Sequence, residues 1–235
     1  MFTDQPSEYP LSSVTFAEGT TTIGTGMFFS QTGFPKLTTV TLPDSFKNSV
    51  TSIADRSFYN CPALTTLNLG KITYAGEYAF YNCVSLKNID TSELVYADSY
   101  AFENCKKVSF DLSKVKTIGS YAFAYTNITT ADLSECESIG TRAFYNSTLN
   151  SIENLTKVKT IGNYAFENTA ISSKFTLPAS LKSEKGAVGV GAFIGTKITE
   201  IALYGENSVY FVTDGVLFSV LDNGSYQLEA YPAFR

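Results

Sequence analysis

Histidine is absent from the 235 residues, and cysteine occurs only four times, at Cys61, Cys83, Cys105 and Cys136. Without an imidazole there is no His-assisted nucleophile and no His-containing metal site, which removes the commonest hydrolase and zinc-enzyme arrangements together. No P-loop, nucleophile elbow or convergent carboxylate pair takes their place, so the sequence points away from an enzyme and offers no binding motif for a cofactor. Basic runs are missing too. The formal net charge of −5 repels a phosphate backbone and excludes nucleic acid as the expected partner. Apolar runs stay far short of a membrane span, so this chain is not expected to insert in a membrane. The opening Met-Phe-Thr-Asp-Gln-Pro has neither a basic leader nor the apolar core of a signal peptide. Two compartments stay open on this reading: the interior of a cell, or the outside after removal of an export signal.

What the chain does have is apolar content, 44%, ample for a continuous core, and a period. An aromatic anchor, mostly within Ala-Phe, recurs at Phe28, Phe58, Phe80, Phe102, Phe123, Phe144, Phe166 and Phe193. The spacings are 30, 22, 22, 21, 21, 22 and 27, so five coils are nearly uniform and the first and last intervals carry insertions. Downstream of the anchor comes L-x-x-L-x-L or a variant, as in Leu64-Thr-Thr-Leu67-Asn-Leu69 and Ile198-Thr-Glu-Ile201-Ala-Leu203. Its alternation predicts a short strand with one buried face. Five residues before each anchor stands a small or aliphatic residue: Ile23, Ile53, Ala75, Ala97, Ile118, Ile139, Ile161 and Val188. Three residues earlier is another, at Val50, Ile72, Leu94, Val115, Cys136 and Val158. No coil can bury so many inward side chains alone, so the coils must stack on one another.

The pattern predicts one parallel strand per coil along one face and a tight helical turn at Ala-Phe on the other. With strands about 4.8 Å apart, eight or nine coils give a rod or shallow arc on the order of 40 Å long. Leu11-Ser-Ser-Val14-Thr-Phe16 is a strand motif with no anchor before it, and closes the N-terminal end as an incomplete coil. Residues 1–204 are thus expected to form a solenoid of about eight coils. Residues 205–235 leave the pattern. Asp214-Gly215 and Asp222-Asn223-Gly224 are turn signals between strand-like runs, predicting a small β-hairpin element packed on the last coil. The abrupt stop at Ala-Phe-Arg implies truncation from a longer protein.

These coils resemble the BspA-like, or treponemal-type, leucine-rich repeats, whose coils read I-x-x-x-A-F-x-x-C-x-x-L-x-x-I-x-L-P. The segment from Ser52 through Ile53, Phe58, Cys61 and Leu64 to Leu69 follows that pattern almost throughout, and the resemblance spans residues 11–203. The tail, with Asp214-Gly215-Val216-Leu217-Phe218 and Tyr231-Pro232, is similar to the hairpin that punctuates repeats of this family. The sequence departs from the family in keeping the proline after the strand only at Pro43 and Pro178, and in carrying Thr126, Ser147, Thr169 and Thr196 in the cysteine slot. The resemblance implies an α/β, right-handed leucine-rich-repeat solenoid with a parallel β-sheet on one face and short helical turns on the other. It also implies a cell-surface or secreted adhesin, presumed to have lost its export signal, that binds a host matrix or microbial surface protein. A passive spacer within a larger surface protein is the alternative.

Several columns run along such a solenoid. Between the last two inward strand positions stand Asn68, Asp90, Asp111, Asp132 and Glu153, followed by Thr176 and Ala202. Four carboxylates in register repel one another, which suggests a ridge for a basic protein partner; the plain alternative is a solvated face that resists aggregation. A straight row lacks the converging ligands of a hard-cation site. Beside it run Gly70, Ser92, Ser113 and Ser134, either a wider recognition surface or small residues at a strand exit. Two residues before the anchor come Tyr78, Tyr100, Tyr121 and Tyr164, with Arg56 and Arg142 in the same slot; these are expected to cover the helical turns. Cys61, Cys83 and Cys105 share one slot and point in parallel, predicting free buried thiols rather than bridges or a zinc site. Asn60, Asn82, Asn104, Asn146 and Asn168 are expected to bond backbone at the turn. Sequons at Asn127, Asn146, Asn154 and Asn223 matter only in a secreting eukaryote.

Overall fold

In the computed structural model, which describes residues 11–29, 33–181 and 186–230, the anchors form one file down the axis of a parallel β-solenoid of about eight turns. All eight anchor side chains are buried. Their rings stack in succession from Phe28 to Phe193 at centroid distances of 5.4, 5.5, 5.2, 5.5, 5.7, 5.6 and 5.7 Å, never more than 18° from parallel. Spacing a little above the strand-to-strand distance is what near-parallel rings carried on successive coils adopt when each slides off its neighbour's face. Each anchor is thereby shielded from water in large part by the coils above and below it.

The slot five residues before the anchor builds the longest sheet. Ser52–Ile53, Tyr74–Ala75, Tyr96–Ala97, Thr117–Ile118, Ser138–Ile139 and Thr160–Ile161 pair in parallel in chain order. Val188 adds one bridge beyond Ile161. The second residue of each strand is buried. The L-x-x-L-x-L wall, expected to carry the sheet, is paired only in pieces. Ser13–Thr15, Thr39–Thr41 and Thr66–Leu67 form one sheet, Thr130–Asp132 pairs Ser151–Glu153, and Ser172–Leu177 pairs Lys197–Leu203. In the gap the Asp111 N–H donates to the Thr91 hydroxyl at 2.8 Å, a side chain taking a backbone donor that a ladder would use.

The short helical turns expected at Ala-Phe are not there. The α-helix found among the described residues, Asp44–Ser49, lies in the insertion of the first interval. The Ala-Phe wall is instead a run of turns in which alternate N–H groups leave the coil. Tyr78, Phe80 and Asn82 donate to the carbonyls of Ser99, Ala101 and Glu103 in the next coil at 2.8–3.0 Å. The residues between them, Ala79, Tyr81 and Cys83, donate within the coil to Gly76, Tyr78 and Phe80. A helix would keep all of these bonds within one segment. Two left-handed residues per coil forbid that: the slot two before the anchor holds Arg56, Tyr78, Tyr100, Tyr121, Arg142 and Tyr164 at φ of 52–61°, and the slot two after holds Asn60, Asn82, Asn104, Asn146 and Asn168 at 51–61°. Where the wall meets the six-stranded sheet, Gly119, Gly140 and Gly162 lie so close to the preceding coil that a Cβ would sit 2.5–2.7 Å from its backbone atoms.

Both ends are covered. Ser13–Thr15 pairs in parallel with Thr39–Thr41. At the other end Tyr210–Thr213, Val216–Val220 and Tyr226–Ala230 form an antiparallel sheet. The first two strands join through Asp214-Gly215, both at positive φ, as a two-residue hairpin demands. This sheet touches the last coil through the Ile201 N–H, which donates to Gly215 at 2.9 Å, and through buried Tyr210, whose hydroxyl accepts the Val188 N–H at 3.2 Å. Tyr231 and Pro232 of the hairpin resemblance lie outside the described residues, as do residues 1–10 of the solenoid span.

Candidate functional site

The acidic column sits at the strand exits of the interrupted wall. Parallel register sets Asp132 beside Glu153 and Thr176 beside Ala202. The carboxylates are partly engaged in the fold. Asp90 Oδ1 accepts the N–H and the hydroxyl of Ser92 at 3.0 and 2.6 Å, and Asp111 Oδ1 accepts those of Ser113 at the same distances. Asp132 Oδ1 accepts the Ser134 N–H at 3.0 Å and Asn154 Nδ2 at 3.3 Å, while the Ser134 hydroxyl turns to the Ser113 carbonyl. Each Asp-x-Ser is therefore a side-chain-closed turn, and the serine column buttresses the acids rather than presenting free hydroxyls. Asn68 opens the column differently, its amide spanning both backbone groups of Leu42. Asp90, Asp111 and Glu153 are exposed; Asn68, Asp132 and the three serines are half-buried. The Ser92 hydroxyl and N–H together hold the Asp90 carboxyl below its ordinary value, so it stays charged in any physiological medium.

Next to this column runs one of alternating sign. Lys71, Glu93, Lys114, Glu135 and Lys157 follow at one-coil steps, with Glu93 held by Lys71 at 3.6 Å and Lys114 at 2.6 Å, and Glu135 by Lys157 at 2.6 Å. Glu137 and Lys159 repeat the pairing at 2.6 Å. Such exposed pairs add at most about 1 kcal/mol each. Their larger effect is local neutralisation: the glutamates beside the wall are matched by lysine, which leaves the aspartate column as its net negative feature. Where the wall is unpaired, a groove of about 430 Å³ opens between Asn68 and Asp90, with Leu67 and Ile89 as its floor and Lys87 on its rim.

The tyrosine slot lies on the Ala-Phe wall and is an ordered stack. Tyr78, Tyr100 and Tyr121 lie face to face at 4.4 and 4.9 Å, and the Arg56 guanidinium covers Tyr78 at 5.0 Å. Arg142 sits among Tyr121, Tyr145 and Tyr164 at 5.8, 5.5 and 4.8 Å from their ring centres, donating to the Tyr121 hydroxyl at 2.7 Å and to Glu167 Oε2 at 3.0 Å. Three residues of the asparagine slot form a ladder of another kind than expected: Asn82 Nδ2 donates to Asn60 Oδ1 at 2.5 Å, and Asn104 Nδ2 to Asn82 Oδ1 at 2.6 Å. All four cysteines are free and buried. Sequence reasoning overlooked the slot one after the anchor, which holds Tyr59, Tyr81, Glu103, Ala124, Tyr145 and Glu167. Acids among aromatics in an otherwise repetitive slot were the available signal.

Among the described residues no group of three or more Cys, Asp or Glu is arranged to hold a metal ion, and no helix is long and apolar enough to cross a membrane. No curated protein matches the chain. A leucine rich cell surface protein from Faecalibacterium prausnitzii is similar in fold, with a TM-score of 0.57 and 24% identity over 95% of this chain and 55% of its own. A leucine-rich repeat protein from Bacteroides ovatus is similar with a TM-score of 0.57 and 20% identity over 82% of this chain and 57% of its own. The chain thus spans just over half the length of either. The model of the BspA type leucine rich repeat region matches in six copies, over residues 7–129 and 116–211. With its period, its anchor file and that match over most of its length, the chain belongs to the BspA-type leucine-rich repeat family.

Proposed function

We propose that this chain is a non-catalytic protein-binding module of a bacterial cell-surface or secreted adhesin, and that Asp90, Asp111, Asp132 and Glu153 form its contact ridge for a basic protein surface. The carrying observation is the contrast, among the described residues, between two adjacent columns: glutamates in ion pairs with lysines in one, and aspartates whose hydrogen bonds go to serine in the other, with Lys71 adding only its field at Asp90. One oxygen of each aspartate is fixed by the turn, so the carboxylates are held in place before a partner arrives, which lowers the ordering cost of binding. Family membership and the cell-surface description of the Faecalibacterium protein support the location. Host matrix proteins and microbial surface proteins are the partner classes.

The test is a panel of purified matrix and bacterial surface proteins, assayed against the chain and against an Asp90→Asn, Asp111→Asn, Asp132→Asn variant. Asparagine keeps the Oδ1 acceptor of each turn and removes the charge. The expected result is weaker binding and a shallower salt dependence for the variant; equal affinity at every salt concentration would discard the ridge. A second reading, a passive spacer, draws on the hydrogen-bonded Ala-Phe wall and stacked core, which suit a stiff rod. It requires that the chain bind no member of the panel while a longer parent does.

A further inference from the structure

The antiparallel sheet at the C-terminal end has two apolar faces, and the fold accounts for one of them. Tyr210 and Leu217 belong to the core and Val212 packs against it. On the other face Phe211 and Phe218 stack at 5.5 Å, and Tyr226 meets Phe211 edge-on at 4.9 Å. Cross-strand pairing sets Val220 beside Tyr226 and Phe218 beside Leu228, so all five share this face, and none of the five joins the core. Tyr226 is 66% exposed and Leu228 54%, so the face is open to solvent where these two stand. An antiparallel sheet with one wet face ordinarily carries polar residues there, and contiguous apolar surface left open marks an interaction site.

The edge beside that face is open as well. Tyr226–Ala230 pairs with Val216–Val220 on one side and, among the described residues, with no strand on the other. Edge strands are ordinarily blunted by lysine, proline or a covering element. This one reads Tyr-Gln-Leu-Glu-Ala, and Tyr226, Gln227 and Leu228 are all exposed. Its one irregularity, at Glu229, lies toward the far end and leaves Tyr226, Gln227 and Leu228 in regular register with Val220, Ser219 and Phe218. The charge of the sheet has one sign. Residues 205–230 hold Glu206, Asp214, Asp222 and Glu229 and no lysine or arginine. Asp222 stands in the turn that leads into the edge strand, and Glu229, within the strand, turns to the Ser219 hydroxyl at 2.6 Å, on the face opposite Leu228. A second copy of the chain would set acids against acids, and an anionic lipid surface is repelled in the same way. Charge complementarity therefore selects a basic occupant.

We propose that the edge strand Tyr226–Ala230 takes up a β-strand of a partner protein in which apolar residues alternate with arginine or lysine. Main-chain hydrogen bonds extend the sheet by one strand. Because side chains alternate between faces, the partner's apolar residues lie beside Tyr226 and Leu228 and cover the open face, while its basic residues fall on the side of Glu229. The surface is on the terminal sheet and does not depend on the role assigned to the aspartate column.

The test titrates the intact chain with the capped peptide Arg-Val-Arg-Val-Arg-Val-Arg and with its counterpart Glu-Val-Glu-Val-Glu-Val-Glu, read by NMR and by amide hydrogen exchange. The arginine peptide is expected to bind saturably, more weakly as salt rises, and to slow exchange within Tyr226–Ala230; the glutamate peptide is expected to bind at least about tenfold more weakly. The double variant Tyr226→Thr, Leu228→Thr keeps strand-forming residues at two exposed positions, so it is expected to melt as the parent does and to bind the arginine peptide at least about tenfold more weakly. Absence of saturable binding, equal binding of the two peptides, undiminished affinity in the double variant, or protection that falls on the aspartate column instead of this strand would overturn the proposal. So would a free chain that sediments as a dimer and is made monomeric by the double substitution, since the edge would then belong to a second copy.

Discussion

Cys83 and Cys105 each point an S–H at the anchor carbonyl of the preceding coil, at 3.1 and 3.0 Å, while Thr126, Thr169 and Thr196 in the same slot turn back on the carbonyl of their own anchor. These five occupants thus each present one donor to an anchor carbonyl, whereas the buried Ser147 hydroxyl in the same slot has no hydrogen-bond partner. Burial pushes the Cys61 and Cys136 thiols up to about 12 and raises Cys83 and Cys105 as well. A thiol whose pKa is raised stays protonated, and only the thiolate attacks. The native chain at pH 8 is therefore expected to leave a disulfide reagent unconsumed, and to release four equivalents once denaturant is added. Prompt reaction without denaturant would contradict the burial. Three of the unreactive thiols were legible from their shared slot and parallel direction, and Cys136 from its place in the aliphatic slot. The asparagine ladder was legible as a ladder but not in its bonding, because 22-residue spacing says that side chains are stacked and not that Asn82 and Asn104 donate to their neighbours' amides.

At the scale of elements, the two walls differ in what the sequence discloses. Alternation in Leu64-Thr-Thr-Leu67-Asn-Leu69 advertises a strand, yet in the middle coils of that wall the Thr91 hydroxyl takes the Asp111 N–H. The six-stranded sheet is made of two-residue strands, too short for any period to appear. Ala-Phe suggests a helical turn because nothing in Tyr or Arg announces φ near +55°, a region usually left to glycine and asparagine. The glycine file was there to be read and marks where coils approach most closely. Gly140→Ala puts a methyl 2.6 Å from the Gly119 carbonyl carbon and 2.7 Å from the Ser120 nitrogen, and backbone atoms cannot step aside. The expected loss is more than about 1 kcal/mol in a denaturant titration. Gly224→Ala is the control for glycine as such: at φ 77° it too is strained by alanine, but nothing lies within 4 Å of its Cβ.

For the whole molecule, neighbouring coils supply one another's interior, so the terminal coils need caps. Tyr210 serves the last one: buried, it closes the core beyond Phe193 and answers the Val188 N–H, the final rung of the six-stranded sheet. Tyr210→Phe keeps the ring and removes the acceptor, leaving a buried N–H unmet at a cost of about 1–3 kcal/mol. Hydrogen exchange is the sensitive measurement, with Val188 and Gly189 expected to exchange faster and Phe123 to be unaffected. Uniform acceleration along the chain would mean that the coils unfold as one unit. That a repeat exists was plain in the sequence. How its end is sealed was not, since the decisive contact joins Tyr210 to a residue 22 positions earlier that has no chemical signature.

The interlocking of alternate N–H groups between coils has a consequence for how such a protein lengthens. Duplicating the 22 residues of one coil creates a new pair of junctions identical in kind to those on either side, with no edge left open and no ring without a neighbour. The molecule can therefore grow or shrink by whole turns, and the reach of its outer surface becomes a quantity that gene duplication adjusts in single steps.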